Sequence, residues 1–143
     1  MTDVGVPRWR SISVGEVLPP RVEPPLTITD FVLYQGAAND QNPMHHDTEF
    51  AVAAGYKSPF AVGMLAAGIL ADFAVQQFGA ANIRRYKAQF REQAWPKDVI
   101  TYSGSVVNKR TEGNEDLVDL ELLATRQTGG VHVQGWATFV VID

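Results

Sequence analysis

Residues 63–78 read GMLAAGILADFAVQQF, and this stretch decides the fold. It contains no cation and one anion, Asp72, and its apolar residues fall on every side of a helix. That pattern is typical of a helix that is buried on most of its surface. Gly79 follows and is predicted to end the helix. Small side chains recur along it and would let a sheet approach closely, namely Ala66, Ala67, Gly68, Ala71 and Ala74.

The chain after Asn82 changes to a period of two, which indicates β-strands. The predicted strands lie around residues 86–91, 100–107, 118–125 and 131–141. Two turn-forming tripeptides, Glu112-Gly113-Asn114 and Thr128-Gly129-Gly130, separate the last three strands and predict hairpins. Helices followed by a strand meander indicate an α+β domain, in which an antiparallel sheet wraps around the long helix.

Two short helices and an extended arm precede the long helix. The N-cap pattern of residues 27–30 predicts a helix from Thr29 to Ala38. A second helix should start near Asp47 and end at Gly55. Residues 1–26 contain repeated prolines, so this arm is expected to lie extended over the surface. No repeat or linker divides the chain, and residues 1–143 are therefore expected to form one domain.

The composition excludes several classes of function. The apolar fraction is 45% and the charged fraction 20%, as in an ordinary globular protein. The formal net charge of −4 argues against a nucleic-acid partner, which usually needs a basic surface. The absence of cysteine excludes disulfides, thiol nucleophiles and thiolate metal sites. Neither a signal peptide nor a membrane span is recognised, and a cytoplasmic location is expected.

The segment most suited to chemistry is NDQNPMHHD, residues 39–47, which holds two of the three histidines and two carboxylates. Pro43 disfavours a continuous helix here. A turn at Asn42-Pro43 would instead bring Asp40 and His45 to one water molecule. A carboxylate and an imidazole can take a proton from water and return it at neutral pH. The simpler alternative is that Asp40 caps a turn and both histidines are exposed.

This segment resembles the D-x-N-P-[apolar]-H signature of MaoC-like dehydratases and (R)-specific enoyl-CoA hydratases. Two further segments agree. Phe60-Ala-Val-Gly63-Met64-Leu65 is similar to the family's A-H-G-M-L stretch, which leads into the central helix. Residues 90–98, FREQAWPKD, resemble the R-F-x-x-P-V-x-P-G-D block between two strands. Together these motifs span roughly residues 30 to 110, in the order that the family has.

The resemblance implies a hot-dog fold that works as a homodimer or beside another hot-dog chain. It implies (R)-specific hydration of trans-2-enoyl thioesters of coenzyme A or acyl-carrier protein, or the reverse dehydration, without a metal or redox cofactor. Asp40 and His45 would bind the catalytic water, and which of them is acid or base stays open. The Gly63 amide would stabilise the enolate oxygen. Asn42 and Pro43 would shape the loop.

Three positions depart from the family pattern. Asn39 replaces a glycine before Asp40, and asparagine tolerates left-handed backbone better than most residues. Val62 replaces the histidine before Gly63, which removes a polar contact near the thioester. Lys97 replaces a turn glycine, where the change is expected to be neutral. Two alternatives therefore stay open: a subunit of a heteromeric hydratase that acts on bulky, sterol-type acyl-CoA, and a non-catalytic thioester-binding protein. A hot-dog thioesterase is a weaker alternative.

Positive charge gathers in two of the predicted strands. Cations at the mouth of a tunnel would bind the phosphates of coenzyme A, and Arg85, Lys87 and Arg91 are the candidates. The alternative is a solvated strand face. His132 falls on the less apolar face of its strand and is expected at the surface. An iron site that combines it with His45 and Asp47 is a further alternative, although Asp47 is expected to cap the second helix.

Overall fold

The computed structural model describes residues 9–142, in which five antiparallel strands form one sheet in the order β1-β3-β4-β5-β2. The strands are β1 Arg21–Val22, β2 Ile83–Phe90, β3 Ile100–Glu112, β4 Glu115–Arg126 and β5 Val131–Val140. The helices are α1 Ile28–Ala38, α2 Thr48–Ala53 and α3 Gly63–Phe78, with short 3-10 turns at Trp9–Ser11, Pro43–His45 and Ala80–Asn82. Strands β2 to β5 all contact α3, which is the predicted hot-dog arrangement of a sheet around one long helix.

The predicted elements are confirmed, with longer strands around the first hairpin. α3 has the predicted bounds, and Gly79 at φ 89° ends it. β3 continues to Glu112 and β4 begins at Glu115, so two residues connect them, and Gly113 turns the chain at φ 57°. Polar residues continue both strands beyond the apolar run, because the backbone pairing does not depend on the polarity of the side chains.

The core lies between α3 and the concave face of the sheet. Leu70, Phe73 and Phe78 of the helix are almost completely buried, and Phe78 meets Phe139 of β5 at 5.2 Å between ring centroids. One stripe of the helix remains exposed, comprising Met64, Gly68, Asp72 and Gln76. The helix is therefore buried on most sides, as predicted, but Gly68 does not serve close packing against the sheet. Among residues 9–142, no helix has the length and apolar composition needed to cross a membrane.

The N-terminal arm is part of the fold rather than only a surface layer, which corrects the prediction for residues 9–26. Ile12 and Leu18 are buried in the core, and Arg21–Val22 pair with Thr101 and Tyr102 of β3. The backbone groups at that edge of β3 need partners, and the proline-free residues 21–23 supply them. The first eight residues of the predicted arm lie outside the described part.

Local capping signals act as predicted. Thr27 and Asp30 form a reciprocal capping box at the start of α1. Asn39 ends α1 in the left-handed conformation, at φ 54°. Asp47 caps α2 by accepting a hydrogen bond from the Phe50 amide at 3.0 Å. These caps fix both ends of the segment that carries Asp40 and His45.

Lys97→Gly is expected to stabilise the protein by about 0.5–1 kcal/mol, whereas the sequence alone predicts a neutral change at this position. Lys97 is exposed and has φ 75°, a conformation that costs about 1–2 kcal/mol for a residue with a Cβ. The greater freedom of glycine in the unfolded chain offsets part of the gain. Urea denaturation measures the difference. Lys97→Ala keeps the strained Cβ and should give no gain, and equal stability of both variants would refute the explanation.

Asp98 anchors the turn between the site and β3. It is 5% exposed and accepts hydrogen bonds from Arg126 Nε (2.7 Å), Gln127 Nε2 (2.8 Å) and the Trp95 amide (2.8 Å). Burial alone would raise the pKa of the Asp98 carboxyl, but these hydrogen bonds outweigh it and lower the pKa below its usual value. The turn and the β4–β5 hairpin are therefore joined through one buried carboxylate.

Asp98→Ala is expected to lower the free energy of unfolding by about 2–3 kcal/mol at neutral pH, because Arg126 then keeps only its salt bridge to Glu92 and the Gln127 and Trp95 donors lose their acceptor. The lowered folded-state pKa makes this contribution complete above the unfolded pKa of about 3.9, and it is lost as the pH falls through the folded value. The difference between wild type and variant should therefore shrink below about pH 4. Urea denaturation across pH tests both statements. Glu115→Ala, which removes the exposed partner of Arg84, should leave the transition unchanged.

Candidate active site

His45 is held in one orientation by Phe60. The 3-10 turn Pro43–His45 places the imidazole in the interior, where it is 8% exposed. Its Nδ1 lies 2.7 Å from the Phe60 carbonyl oxygen, and the two rings meet edge-on at 5.2 Å. A carbonyl can only accept, so Nδ1 carries the proton and Nε2 of the neutral ring keeps a lone pair. The lone pair on Nε2 is therefore available to accept a hydrogen bond or a proton.

The His45 cavity, as we call it, has a volume of about 390 Å³ and also contains the start of α3. It is lined by His45, Phe60, Ala61, Val62, Gly63, Met64, Phe90, Arg91, Glu92, Gln93 and His132. The N-cap residue Val62 provides no side-chain hydrogen bond to the helix. Because the first amides of a helix have no partner within it, this end of α3 is suited to an anionic oxygen.

Gly63 also allows the cavity wall to close. A Cβ at this position would lie 2.7 Å from Cδ1 of Phe90, which is too close for any real side chain. The Phe90 ring thus packs directly over the backbone at the start of α3, although the side chain as a whole is 52% exposed. A larger residue at 63 would displace that ring.

Asp40 lies on a different side of the loop from His45. It borders a groove with His46 and Gln41, and it does not line the His45 cavity. Its Oδ1 accepts a hydrogen bond from the Asn42 amide at 3.1 Å, while Oδ2 has no partner within residues 9–142. The turn-capping part of the simpler alternative is therefore present, and His46 is exposed, but His45 is buried.

Asn42 and Pro43 make the contacts that a loop-shaping role requires. The Asn42 side chain accepts a hydrogen bond from the Met44 amide at 3.0 Å and so caps the 3-10 turn. Pro43 occupies the first position of that turn, where its missing N–H leaves no donor unpaired. Together they direct the chain so that His45 points inward.

A sequence profile of the family described as "MaoC like domain" matches residues 11–128. The chain belongs to this family. The match covers the arm from residue 11, all three helices and the first three of the four long strands, β2 to β4, and it includes every lining residue of the His45 cavity except His132.

Individual relatives are distant. The MaoC-like domain is 32% identical over 100 residues to "Enoyl-CoA hydratase ChsH3" of Mycobacterium tuberculosis, a match that covers 64% of this chain. The chain spans only 35% of the length of that curated relative. Activity and partners are therefore a matter of proposal.

Two solved structures have the same fold. The "(R)-hydratase from A. caviae involved in PHA biosynthesis" is 22% identical, with a TM-score of 0.80, over 94% of this chain and 99% of the other. The "ChsH1-ChsH2 complex from Mycobacterium tuberculosis" gives 24% identity and a TM-score of 0.77, over 90% and 98%. At these identities the likeness concerns the fold alone.

Gln35 of the MaoC-like domain organises the loop and was missed by the sequence analysis. It is 6% exposed, and its Nε2 donates to the carbonyl oxygens of Asp40 and Asn42, both at 2.9 Å. Its Oε1 accepts from His46 Nδ1 at 2.9 Å. Phe31 and Gln35 are the two buried residues of α1 and lie one turn apart. A polar residue on the buried stripe of a helix is the signal that could have revealed it.

Gln35→Glu is expected to lower the free energy of unfolding by about 1–3 kcal/mol, because it removes a donor from two carbonyls and turns a negative charge towards them. Chemical denaturation measures the loss. Gln41→Glu is the matched control, since its side chain is exposed and makes only a long contact of 3.4 Å to Asn39. Equal stability of the two variants would mean that Gln35 does not hold the loop.

His132 is buried, which corrects its predicted surface position. It is 3% exposed and lines the same cavity as His45 and Gly63. The pairing of β4 with β5 is irregular here, because Ala124 pairs with Val133 and Thr125 with Val131. His132 is the additional residue of this bulge, and bulges redirect side chains. Strict alternation along β5 therefore assigned it to the wrong face.

The predicted cations do not form one group. Arg91 lines the His45 cavity, and its guanidinium bonds Gln134 Oε1 at 2.6 Å. Arg85 and Lys87 instead line a separate groove of about 590 Å³, where Lys87 lies 5.4 Å from the ring centre of Trp136. β2 ends at Phe90, so Arg91 no longer follows the alternation of that strand.

The iron site considered from the sequence is not formed. His45 and His132 each direct Nδ1 to a backbone carbonyl, and Asp47 caps α2. Across residues 9–142, no three side chains of the metal-binding types are grouped closely enough to hold an ion.

Proposed function

We propose that this MaoC-like domain hydrates trans-2-enoyl thioesters to (R)-3-hydroxyacyl thioesters, or catalyses the reverse dehydration. One observation carries the proposal. His45, with Nε2 free as a base, lines the same cavity as the uncapped N-terminus of α3 at Gly63. Hydration of an activated double bond needs both groups, a base for water and a donor for the oxygen on which charge develops.

His45 and Gly63 have separate roles in the proposed reaction. His45 Nε2 takes a proton from water while the water oxygen bonds to the β-carbon. The double-bond electrons move towards the thioester and place negative charge on its oxygen, where the Gly63 amide donates a hydrogen bond. A donor of this kind is worth about 3 kcal/mol. The protonated imidazole then returns its proton to the α-carbon, so that one molecule of water has been added and His45 is neutral again.

Asp40 is proposed to hold the water through its unpaired oxygen Oδ2, with Oδ1 fixed by the Asn42 amide. The support for this role is the resemblance of residues 40–45 to the family signature and the buried amide of Gln35, which ties the backbone of this loop to α1.

Arg91 is proposed to contact the phosphates of coenzyme A, because it lines the His45 cavity, whereas Arg85 and Lys87 face another groove.

The chemistry is proton transfer to and from carbon and oxygen, which needs no metal or redox cofactor. The cytoplasmic location and the single-domain organisation stay predictions from the sequence.

A second candidate is a hydratase subunit that works beside another hot-dog chain. β2 is an edge of the sheet and has only β5 as its neighbour within the described residues. Three cations lie on this edge, Arg84, Arg85 and Lys87, of which Arg84 pairs with Glu115. Like charges that face each other across two paired strands are destabilising. Such an edge favours pairing with a different, acidic strand over pairing with a second copy.

The test follows the loss of the conjugated enoyl-thioester absorbance with purified protein and trans-2-enoyl-CoAs of increasing length. Hydration that yields the (R)-3-hydroxyacyl product is the expected result. Size-exclusion chromatography with light scattering on the same sample reports whether the chain is monomeric. A folded protein without turnover of any chain length would reject the function of the chain alone and favour the second candidate.

A further inference from the structure

His132 has one ring nitrogen fixed and the other unused. Nδ1 lies 2.6 Å from the carbonyl oxygen of Glu92, which can only accept, so Nδ1 carries the proton. Burial lowers the pKa of the His132 imidazole, and the ring is therefore neutral at pH 7. Nε2 then keeps a lone pair, is covered from solvent and has no hydrogen-bond partner among the described residues.

An unpaired, buried acceptor is costly and calls for a partner. The bulge in β5 turns His132 inward, although a regular strand would have left it on the outer face. His132 lines the cavity that holds His45 and Gly63. A mere filler of this space would be apolar, so the arrangement indicates a ligand that brings a donor.

The position of His132 restricts which donor that is. Residues 90–93 form the exposed rim of the cavity, whereas His45, Ala61 and Val62 lie deep. His132 is as buried as these deep residues, but it is bonded to the rim: its ring bonds the Glu92 carbonyl, and its own carbonyl accepts from the Arg91 amide at 3.0 Å. An enoyl thioester whose carbonyl lies at Gly63 would extend its thiol arm towards this rim.

We propose that His132 Nε2 binds the thiol arm of the substrate by accepting a hydrogen bond from one of its amide N–H groups. The enoyl group itself contains only a carbonyl, a double bond and alkyl carbons, none of which donates. The amides of the pantetheine arm do, and coenzyme A and acyl-carrier protein share that arm. This inference rests on the proposed function and adds the part of the substrate that is recognised.

The test compares wild type with His132→Asn. Asparagine places an N–H close to the position of Nδ1 and so keeps the bond to the Glu92 carbonyl, but it has nothing at the position of Nε2. The substrates are crotonyl thioesters of ethanethiol, which has no amide, of N-acetylcysteamine, which has one, of coenzyme A and of acyl-carrier protein. The ratio of kcat/KM for the N-acetylcysteamine thioester to that for the ethyl thioester should fall about five- to tenfold in the variant.

The wild-type rates show whether the protein uses the thioester of coenzyme A or that of acyl-carrier protein. For that thioester, the ratio of kcat/KM to the value for the ethyl thioester should fall in His132→Asn to the same extent. His46→Asn, which changes the exposed histidine next to His45 in the chain, should leave the ratio unchanged. An unchanged ratio in His132→Asn would overturn the inference. An equal loss on all thioesters, the ethyl thioester included, would also overturn it, because His132 would then act on the reacting end.

A second measurement is independent of turnover and of the folding of a variant. In wild-type protein with ¹⁵N-labelled histidine, saturated butyryl-CoA should move the Nε2 resonance of His132 towards the hydrogen-bonded value. If this shift occurs in a protein that hydrates nothing, the proposed reaction fails while the binding role stands. If butyryl-CoA saturates a hydrating enzyme without moving the resonance, the reaction stands and the role of His132 is refuted.

Discussion

His45→Asn is expected to lower kcat/KM for enoyl-CoA hydration about 10³-fold, within the range that general acid–base catalysis contributes. The asparagine amide lies close to the position of Nδ1, so the hydrogen bond to the Phe60 carbonyl is kept, although the edge-on contact between the two rings is lost. What disappears is Nε2, the only basic nitrogen that this side chain offers to the cavity. Initial rates from the enoyl-thioester absorbance measure the loss, and the thermal midpoint checks that the variant is folded.

The adjacent histidine supplies the matched control. His46 is exposed, and its Nδ1 bonds Gln35 Oε1 at 2.9 Å outside the His45 cavity. His46→Asn keeps that donor and is expected to hydrate at nearly the wild-type rate. Similar losses in both variants would show that the substitutions act through the shape of the loop, and His45 would lose its assignment as the base.

Asp40→Asn is expected to abolish detectable hydration, a loss of at least about 10²–10³-fold, without unfolding the protein. This substitution separates the two roles that the structure allows for Asp40. An asparagine Oδ1 can still accept the bond from the Asn42 amide, so the turn survives, whereas the negative charge and the second acceptor oxygen are removed. Only a chemical role predicts a large loss of rate.

Asp47→Asn is the control for Asp40, because Asp47 is a carboxylate of the same segment that only caps α2. Asparagine caps helices about as well as aspartate, so both stability and rate should stay close to wild type. Full activity in Asp40→Asn would leave Asp40 as a turn former. The water would then depend on His45 and on other groups of the cavity.

The local parts of this fold could be predicted from the sequence. α3 follows from sixteen residues without a cation, and its predicted bounds, Gly63 and Phe78, are those of the structure. The capping box at Thr27 and the left-handed Asn39 follow from side chains that bond the backbone next to them. Such features depend on contacts between near neighbours in the chain, which a sequence displays directly.

The candidate site was only partly accessible in this way. The motif identifies Asp40, His45 and Gly63, but it does not reveal that His45 and Gly63 share a cavity from which Asp40 is absent. Gln35 was overlooked because its role depends on how the following loop folds back onto α1, where the carbonyls of Asp40 and Asn42 meet its side chain. The sequence shows a polar residue on the buried stripe of α1, but it does not show these partners.

What the sequence by itself determined is the order and type of the long elements, together with the family signature, since both are written in short stretches of the chain. The tertiary structure decided the pairing of Arg21–Val22 with β3, the separation of Arg91 from Lys87, and the inward turn of His132. The face that a strand residue occupies depends on its register with the neighbouring strand. One extra residue in β5 changes that face, and only the pairing with β4 shows where the extra residue lies.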